Sequence, residues 1–266
     1  VITCTRPSTV SSALEDKSGL FGFIASTTLM TVMGDRALRN QAALIASDNW
    51  RDYQDIYKAA DRKRGKPEAD HGTLIHRAVQ AMHAGDDVSA MDADIVADAR
   101  AVTDALRTLG LEMVESEANV VTLDLPEPMA GTRDILARQP DGRFVVVDIK
   151  STSSLGGARF RALSWSVQIA IYANGDLYPA GDYHRDRWGR PVIDEELIIP
   201  ETRDIELSEA LVVEVERGTG RYETHVIDIA AGWELAELAC RVRAARKASL
   251  LLGSGKPVVP SGSKSP

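Results

Sequence analysis

The stretch DILARQPDGRFVVVDIK, residues 134–150, decides how this chain is read. Proline fixes φ for the first position of a type I turn, aspartate suits the second, and glycine accepts the left-handed conformation of the third. Pro140-Asp141-Gly142 therefore reads as a three-residue hairpin loop with a bulge. Gln139 then pairs with Arg143, and counting outward sets Asp134 opposite Asp148, on one face and with Cβ atoms about 5 Å apart. A two-residue Asp-Gly turn would shift the register by one and send the two carboxylates to opposite faces. Along the second strand, period two puts Phe144, Val146, Asp148 and Lys150 on a common face, so Lys150 points to the same place.

Facing carboxylates are unfavourable in a bare sheet: at an effective dielectric of about 20, charges about 5 Å apart repel by roughly 3 kcal/mol. A divalent cation turns that repulsion into shared attraction, and hard oxygen ligands suit Mg²⁺ or Mn²⁺. A lysine beside two acids can position a water or steady a developing negative charge. The plainer alternative is a pair of solvated strand-end acids with Lys150 as a surface partner. The apolar run Phe144-Val145-Val146-Val147 speaks for burial instead.

Working outward, alternating patterns predict strands over residues 111–125, 131–139 and 143–150. A small-residue loop (151–157), a helix (161–173) and a long irregular stretch follow, then strands over 210–216 and 222–228 and a helix over 231–251. Upstream, Ile95, Ala99, Val102, Leu106 and Leu109 recur at helical spacing within residues 91–110, and Gly110 can end that helix. Residues 8–84 read as several helices with breaks near Ser18-Gly19, Gly34-Asp35, Ser47-Asp48 and Gly65-Lys66-Pro67. This gives an N-terminal helical region (1–66), a core (67–251) and a tail of flexible composition (252–266).

With 266 residues and 44% hydrophobic content, the chain can bury a substantial core. Its two cysteines, Cys4 and Cys240, supply neither a disulfide framework nor four thiolates, which points to a reducing, cytoplasmic setting. The apolar run GLFGFIASTTLMTVMG (19–34) is broken by Ser26, Thr27, Thr28 and Thr31 and is shorter than a span of about 20 residues. It reads as a buried or partner-facing helix, not as a secretory signal or membrane anchor. A net charge of −8 counts against a surface that grips nucleic acid all over. Residues 85–117 carry nine acidic side chains against Arg100 and Arg107, a net of −7, so the rest is close to neutral. Basic patches remain available, such as Arg62-Lys63-Arg64 with Lys66, or Arg241, Arg243, Arg246 and Lys247. There is no internal repeat, and GSGKP near the end lacks the spacing of a phosphate-binding P-loop.

Four motifs occur in order: Gly72-Thr73-Leu74-Ile75-His76, Gly131-Thr132-Arg133-Asp134, Asp148-Ile149-Lys150 and Gln168-Ile169-Ala170-Ile171-Tyr172. Together they resemble the PD-(D/E)XK nuclease superfamily, in particular its RecB-like exonuclease branch with phage-encoded members, over residues 70–175. The resemblance implies an α/β restriction-endonuclease-like core, a mixed central sheet flanked by helices. It implies Mg²⁺ or Mn²⁺ held by Asp134 and Asp148, with the Ile149 carbonyl and His76 as further ligands. Lys150 would assist the attacking water, and Gln168 and Tyr172, four apart on one helix face, would line the active site or touch DNA. Read without the resemblance, Gln168 and Tyr172 pack a helix with Trp165, Val167 and Ile171, and His76 is a capped or partly buried histidine. Gly72, one turn before His76, leaves room for metal or phosphate. His71 and His83 read as surface residues. Glu115 and Glu117 lie on the preceding strand, where one could approach the metal; a solvated acidic face is the plainer reading.

The implied activity is that of a metal-dependent DNA nuclease, of exonuclease type, in recombination, repair or phage DNA processing. Some RecB-like relatives hold an iron–sulfur cluster through four cysteines, and two cannot do this, so none is expected. No helicase motif is present, so unwinding would come from a helicase or recombination partner, and no membrane partner is implied. The competing reading is a catalytically silent nuclease-like module that binds DNA ends or a recombination protein. Exonuclease versus endonuclease action, polarity, strand preference and oligomeric state are not written in these residues.

Overall fold

A computed structural model of the chain describes residues 1–14, 28–43, 45, 54–179, 183–187 and 189–252. In order these form β1 (Ile2–Thr3), α1 (Pro7–Ser11), α2 (28–34), α3 (Arg36–Ala43), α4 (Gln54–Ala84) and α5 (Ala93–Thr108). Then come β2 (Glu112–Thr122), β3 (Met129–Arg138), β4 (Phe144–Thr152), α6 (Ala162–Ala173), β5 (Asp176–Leu177), β6 (His184–Arg185) and β7 (Pro191–Ile193). β8 (Glu209–Glu216), β9 (Arg221–Asp228) and α7 (Ile229–Leu252) complete the chain.

The hairpin closes as its turn chemistry requires. The Gln139 N–H donates to the Arg143 carbonyl at 2.8 Å and the Gly142 N–H to the Gln139 carbonyl at 3.0 Å. Gly142 takes φ +93°, a conformation that side chains with a Cβ resist. The ladder runs from Arg138↔Phe144 to Ile135↔Val147, so the next positions in this register are Asp134 and Asp148.

The sheet has the order β5-β2-β3-β4-β8-β9 and is antiparallel except between β4 and β8. Helices cover both faces, which is why β4 reads as an unbroken apolar run at Val145-Val146-Val147. On one face Leu136, Val146 and Val212 pack against Trp165, Ile169 and Ala170 of α6. On the other, Ile135, Val147 and Val213 pack against Ile75 and Val79 of α4 and Val102 of α5. The molecule is thus α/β, with a six-stranded mixed sheet flanked by helices.

A second, three-stranded sheet, β1-β7-β6, is stitched to the far end of β3. The Thr5 N–H donates to the Pro128 carbonyl at 2.8 Å, and the Ala130 N–H to the Thr5 carbonyl at 3.1 Å. These strands of two or three residues lie partly in the stretch read as irregular, being too short to display a period.

Gly65-Lys66-Pro67 does not break the chain: α4 continues through it. Proline inside a helix forfeits one backbone bond. Here Ile75, Ala78 and Val79 further along bury the helix in the core, and Lys63, Arg64, Lys66, Glu68 and Ala69 are good helix formers. At Gly34-Asp35 the expected break is real, and the Asp35 carboxylate accepts the Leu38 N–H at 2.9 Å. Most of the apolar run 19–34, the breaks at 18–19 and 47–48 and the tail 253–266 lie outside the described residues. Within α2, Leu29, Met30 and Met33 are exposed. Among the described residues no helix is long and apolar enough to cross a membrane.

His71 is a fastener, not the surface residue expected from sequence. Its Nε2 lies 2.8 Å from the carboxylate of Asp98, which is fully buried and also accepts the N–H groups of Gly218 and Gly220 at 2.7 and 2.9 Å. This joins α4, α5 and the β8–β9 turn.

Arg133 is fully buried beside β2, its Nη2 donating to Glu115 at 2.6 Å and to Glu201 at 3.1 Å, while Arg203 bridges the same two acids. Burial opposes the charge on Glu201, but hydrogen bonds from Arg203 and Arg133 hold its carboxyl down at about 2. A depressed acid stabilises the fold above its unfolded pKa near 4.5, and that contribution is lost as pH falls through about 2. Glu201→Gln should therefore lower stability at neutral pH, by about 1–2 kcal/mol once solvent screening is allowed for. In thermal melts the gap from wild type should close as pH drops from 4.5 towards 2.

Candidate metal and active site

The site begins where the β3–β4 ladder ends. Two positions beyond Ile135↔Val147, the Ile149 N–H would bond to the backbone of β3; it donates instead to Asp134 Oδ2 at 2.8 Å. The side-chain alternation of β3 also slips here. Leu136 packs against α6, and the space over Gly131 is filled by Tyr172 of the same helix, although five residues, an odd number, separate them. Across on β2, Glu117 has φ +57° and, among the described residues, is the one non-glycine with positive φ. That conformation costs about 1–2 kcal/mol. It accompanies a carboxylate delivered to the opening between β3 and β4.

His76 reaches this opening from α4. Its Nδ1 lies 2.8 Å from Glu117 Oε1 and 3.5 Å from Asp134 Oδ1. Potential ligand atoms of His76, Glu117 and Asp134 lie within 4.8 Å of one another. Burial disfavours the imidazolium, yet the Asp134 and Glu117 carboxylates outweigh it and raise the His76 pKa to about 9.

From β4, Asp148 is 1% exposed and Lys150 Nζ stands 2.5 Å from its Oδ2. Even so, neither Asp148 oxygen has a well-directed hydrogen bond. Burial first, and then the nearby Asp134, push the Asp148 carboxyl up against the pull of Lys150. On α6, Gln168 Nε2 donates to Tyr172 Oη at 3.1 Å. Burial, with Asp134 and Asp148 close by, pushes the phenol far up, so Tyr172 keeps its proton.

His76, Asp134, Asp148, Lys150 and Tyr172 thus surround one opening, with Gln168 holding the phenol and the Ile149 backbone tied to Asp134. Two expectations need correction. Glu115 and Glu117 are not a solvated face: Glu115 pairs with Arg133 and Arg203, and Glu117 joins the site. Nor does Gly72 leave room for metal or phosphate, because a Cβ there would meet Ser151 Oγ of β4 at 3.3 Å.

Gly131 has a different reason to be glycine. A Cβ would stand 2.7 Å from Tyr172 Cε1, on a buried ring with little freedom to retreat. Gly131→Ala should cost about 1–3 kcal/mol by overpacking. In a Tyr172→Ala background that cost should vanish, which a double-mutant cycle of melting curves reads directly.

No family model and no curated protein matches the chain. Among solved structures, the crystal structure of SSO0001 aligns with a TM-score of 0.30 at 15% identity, covering 64% of this chain and 73% of that one.

Proposed function

We propose that this chain is a metal-dependent deoxyribonuclease of the PD-(D/E)XK type, with a restriction-endonuclease-like core and exonuclease action on DNA ends. The observation that supports it most is the state of Asp148: a buried carboxylate, without a directed donor on either oxygen, beside Asp134 and within 2.5 Å of a lysine. A charge kept in that setting is costly for stability alone. The donor set of carboxylates and one imidazole fits Mg²⁺ or Mn²⁺. Asp134, Asp148, His76 and Glu117 would hold the ion, with the Ile149 carbonyl as a backbone ligand. Such an ion supplies Lewis-acid polarisation of the phosphate and a lowered pKa for water.

The chain's own groups account for the remaining tasks. Lys150, paired with Asp148, would orient the attacking water. The Ile149 N–H fixes Asp134 Oδ2, leaving Oδ1 directed towards His76. Tyr172 keeps its proton and accepts from Gln168, so its hydroxyl is free to donate to a phosphate oxygen. A helicase or recombination protein as supplier of unwound ends belongs to the same reading.

The test is digestion of terminally labelled DNA, linear and circular, single- and double-stranded, with Mg²⁺, Mn²⁺ or chelator. Cleavage of linear but not circular substrate, abolished by chelator, is the expected result. DNA binding with no cleavage under any metal would favour a silent end-binding module.

A further inference from the structure

Two pockets flank the opening, and their linings say how a polynucleotide would cross it. One, of about 400 Å³, is lined by His76, Glu117, Asn119 and Arg77; the other, of about 300 Å³, by Gly131, Tyr172, Arg6 and Arg185. Thr132 lines both, so they meet over β3 at Gly131-Thr132, beside Asp134.

The opening itself is rich in carboxylates, which repel phosphate. A strand laid across it needs cations on its neighbouring phosphates. Several arginines are paired with acids: Arg138, Arg143, Arg161, Arg203 and Arg243 all form ion pairs. Arg6 and Arg185 differ. Both are exposed, and both donate to one backbone carbonyl, that of Gly189, at 2.7 and 3.3 Å. Among the described residues no carboxylate pairs with either. The small sheet brings them together: Arg6 follows β1, Arg185 ends β6, and β7 lies between the two strands. The Thr5 bridge then ties this pair to β3 just ahead of Gly131.

We propose that the substrate strand crosses β3 at Gly131-Thr132, Arg6 and Arg185 gripping the phosphate on one side of the bond to be broken and Arg77 the phosphate on the other. This rests on the nuclease reading and adds to it a task for the N-terminal segment and the small sheet: they form the positive wall of the track. These arginines are positioning residues that hold the strand before and during reaction, so their loss raises KM more than it lowers kcat.

The experiment has a binding arm and a cleavage arm. In the cleavage-silent Asp148→Asn background, binding of a labelled single-stranded oligonucleotide is measured against salt concentration. The slope of log K against log salt should flatten by about 0.7 for each phosphate released, hence by about 0.7 in Arg6→Gln/Arg185→Gln, whose two side chains share one phosphate. Arg138→Gln, on the far hairpin, should leave it unchanged. In the otherwise wild-type chain the double variant should raise KM about tenfold or more with kcat nearly kept. A neutral methylphosphonate beside the cleaved bond should mimic the double variant and add nothing to it. Wild-type slopes in the double variant overturn the track. Cleavage by wild type with an unaltered double variant overturns the track and leaves the nuclease standing. Flattened slopes with no cleavage by wild type under any metal support the track and remove the nuclease.

Discussion

Asp148→Asn is expected to lose on the order of 10³-fold or more of metal-dependent cleavage, the scale of several kcal/mol that a correctly held ion contributes. Asparagine keeps the shape of the side chain and removes the charge, so the variant should remain folded and should still bind DNA. Asp134 separates structural from chemical roles in the same way. Asp134→Asn keeps an oxygen for the Ile149 N–H, whereas Asp134→Ala strands a buried donor and should cost about 1–3 kcal/mol of stability. Both should be inactive. If Asp148→Asn cleaves labelled DNA within tenfold of wild type, Asp148 is not a ligand.

Lys150→Met carries the second large effect. It breaks an ion pair whose acid is almost wholly inaccessible, and breaking such a pair costs about 3–5 kcal/mol, because the remaining charge has no partner. The lysine is 24% exposed, which places the expected loss near the lower bound, about 3 kcal/mol. Adding Asp148→Asn removes the stranded charge, so the double variant should recover most of the stability and none of the activity. Chemical denaturation of the four proteins in the cycle gives the coupling. Additive losses would mean that Lys150 and Asp148 do not sense each other.

The hairpin was readable because Pro140-Asp141-Gly142 has a turn type that fixes a register. Once register is fixed, Asp134, Asp148 and Lys150 can be placed by counting. His76, Gln168 and Tyr172 were pointed to by the resemblance alone, since by themselves they read as a partly buried histidine and helix-packing residues. Glu117 was out of reach for a physical reason. Its approach depends on the register between β2 and β3, which are joined by residues 123–128, a loop without a turn type that can be counted across. It depends also on a left-handed backbone at a glutamate, which no propensity suggests. The small sheet was hidden because its partners are about 190 residues apart, Ile2 pairing with Ile193. The α4 break failed as a reading because Gly65 and Pro67 are local signals, and the burial of Ile75 and Val79 is not.

Calorimetric titration of Mn²⁺ into chelator-treated protein is the most direct test of the central claim, that the opened end of the β3–β4 hairpin holds a divalent cation. Saturable uptake by the wild type, lost in Asp134→Asn and in Asp148→Asn while both variants stay folded, is the expected result. No uptake by the wild type, or equal uptake by all three, would contradict the claim.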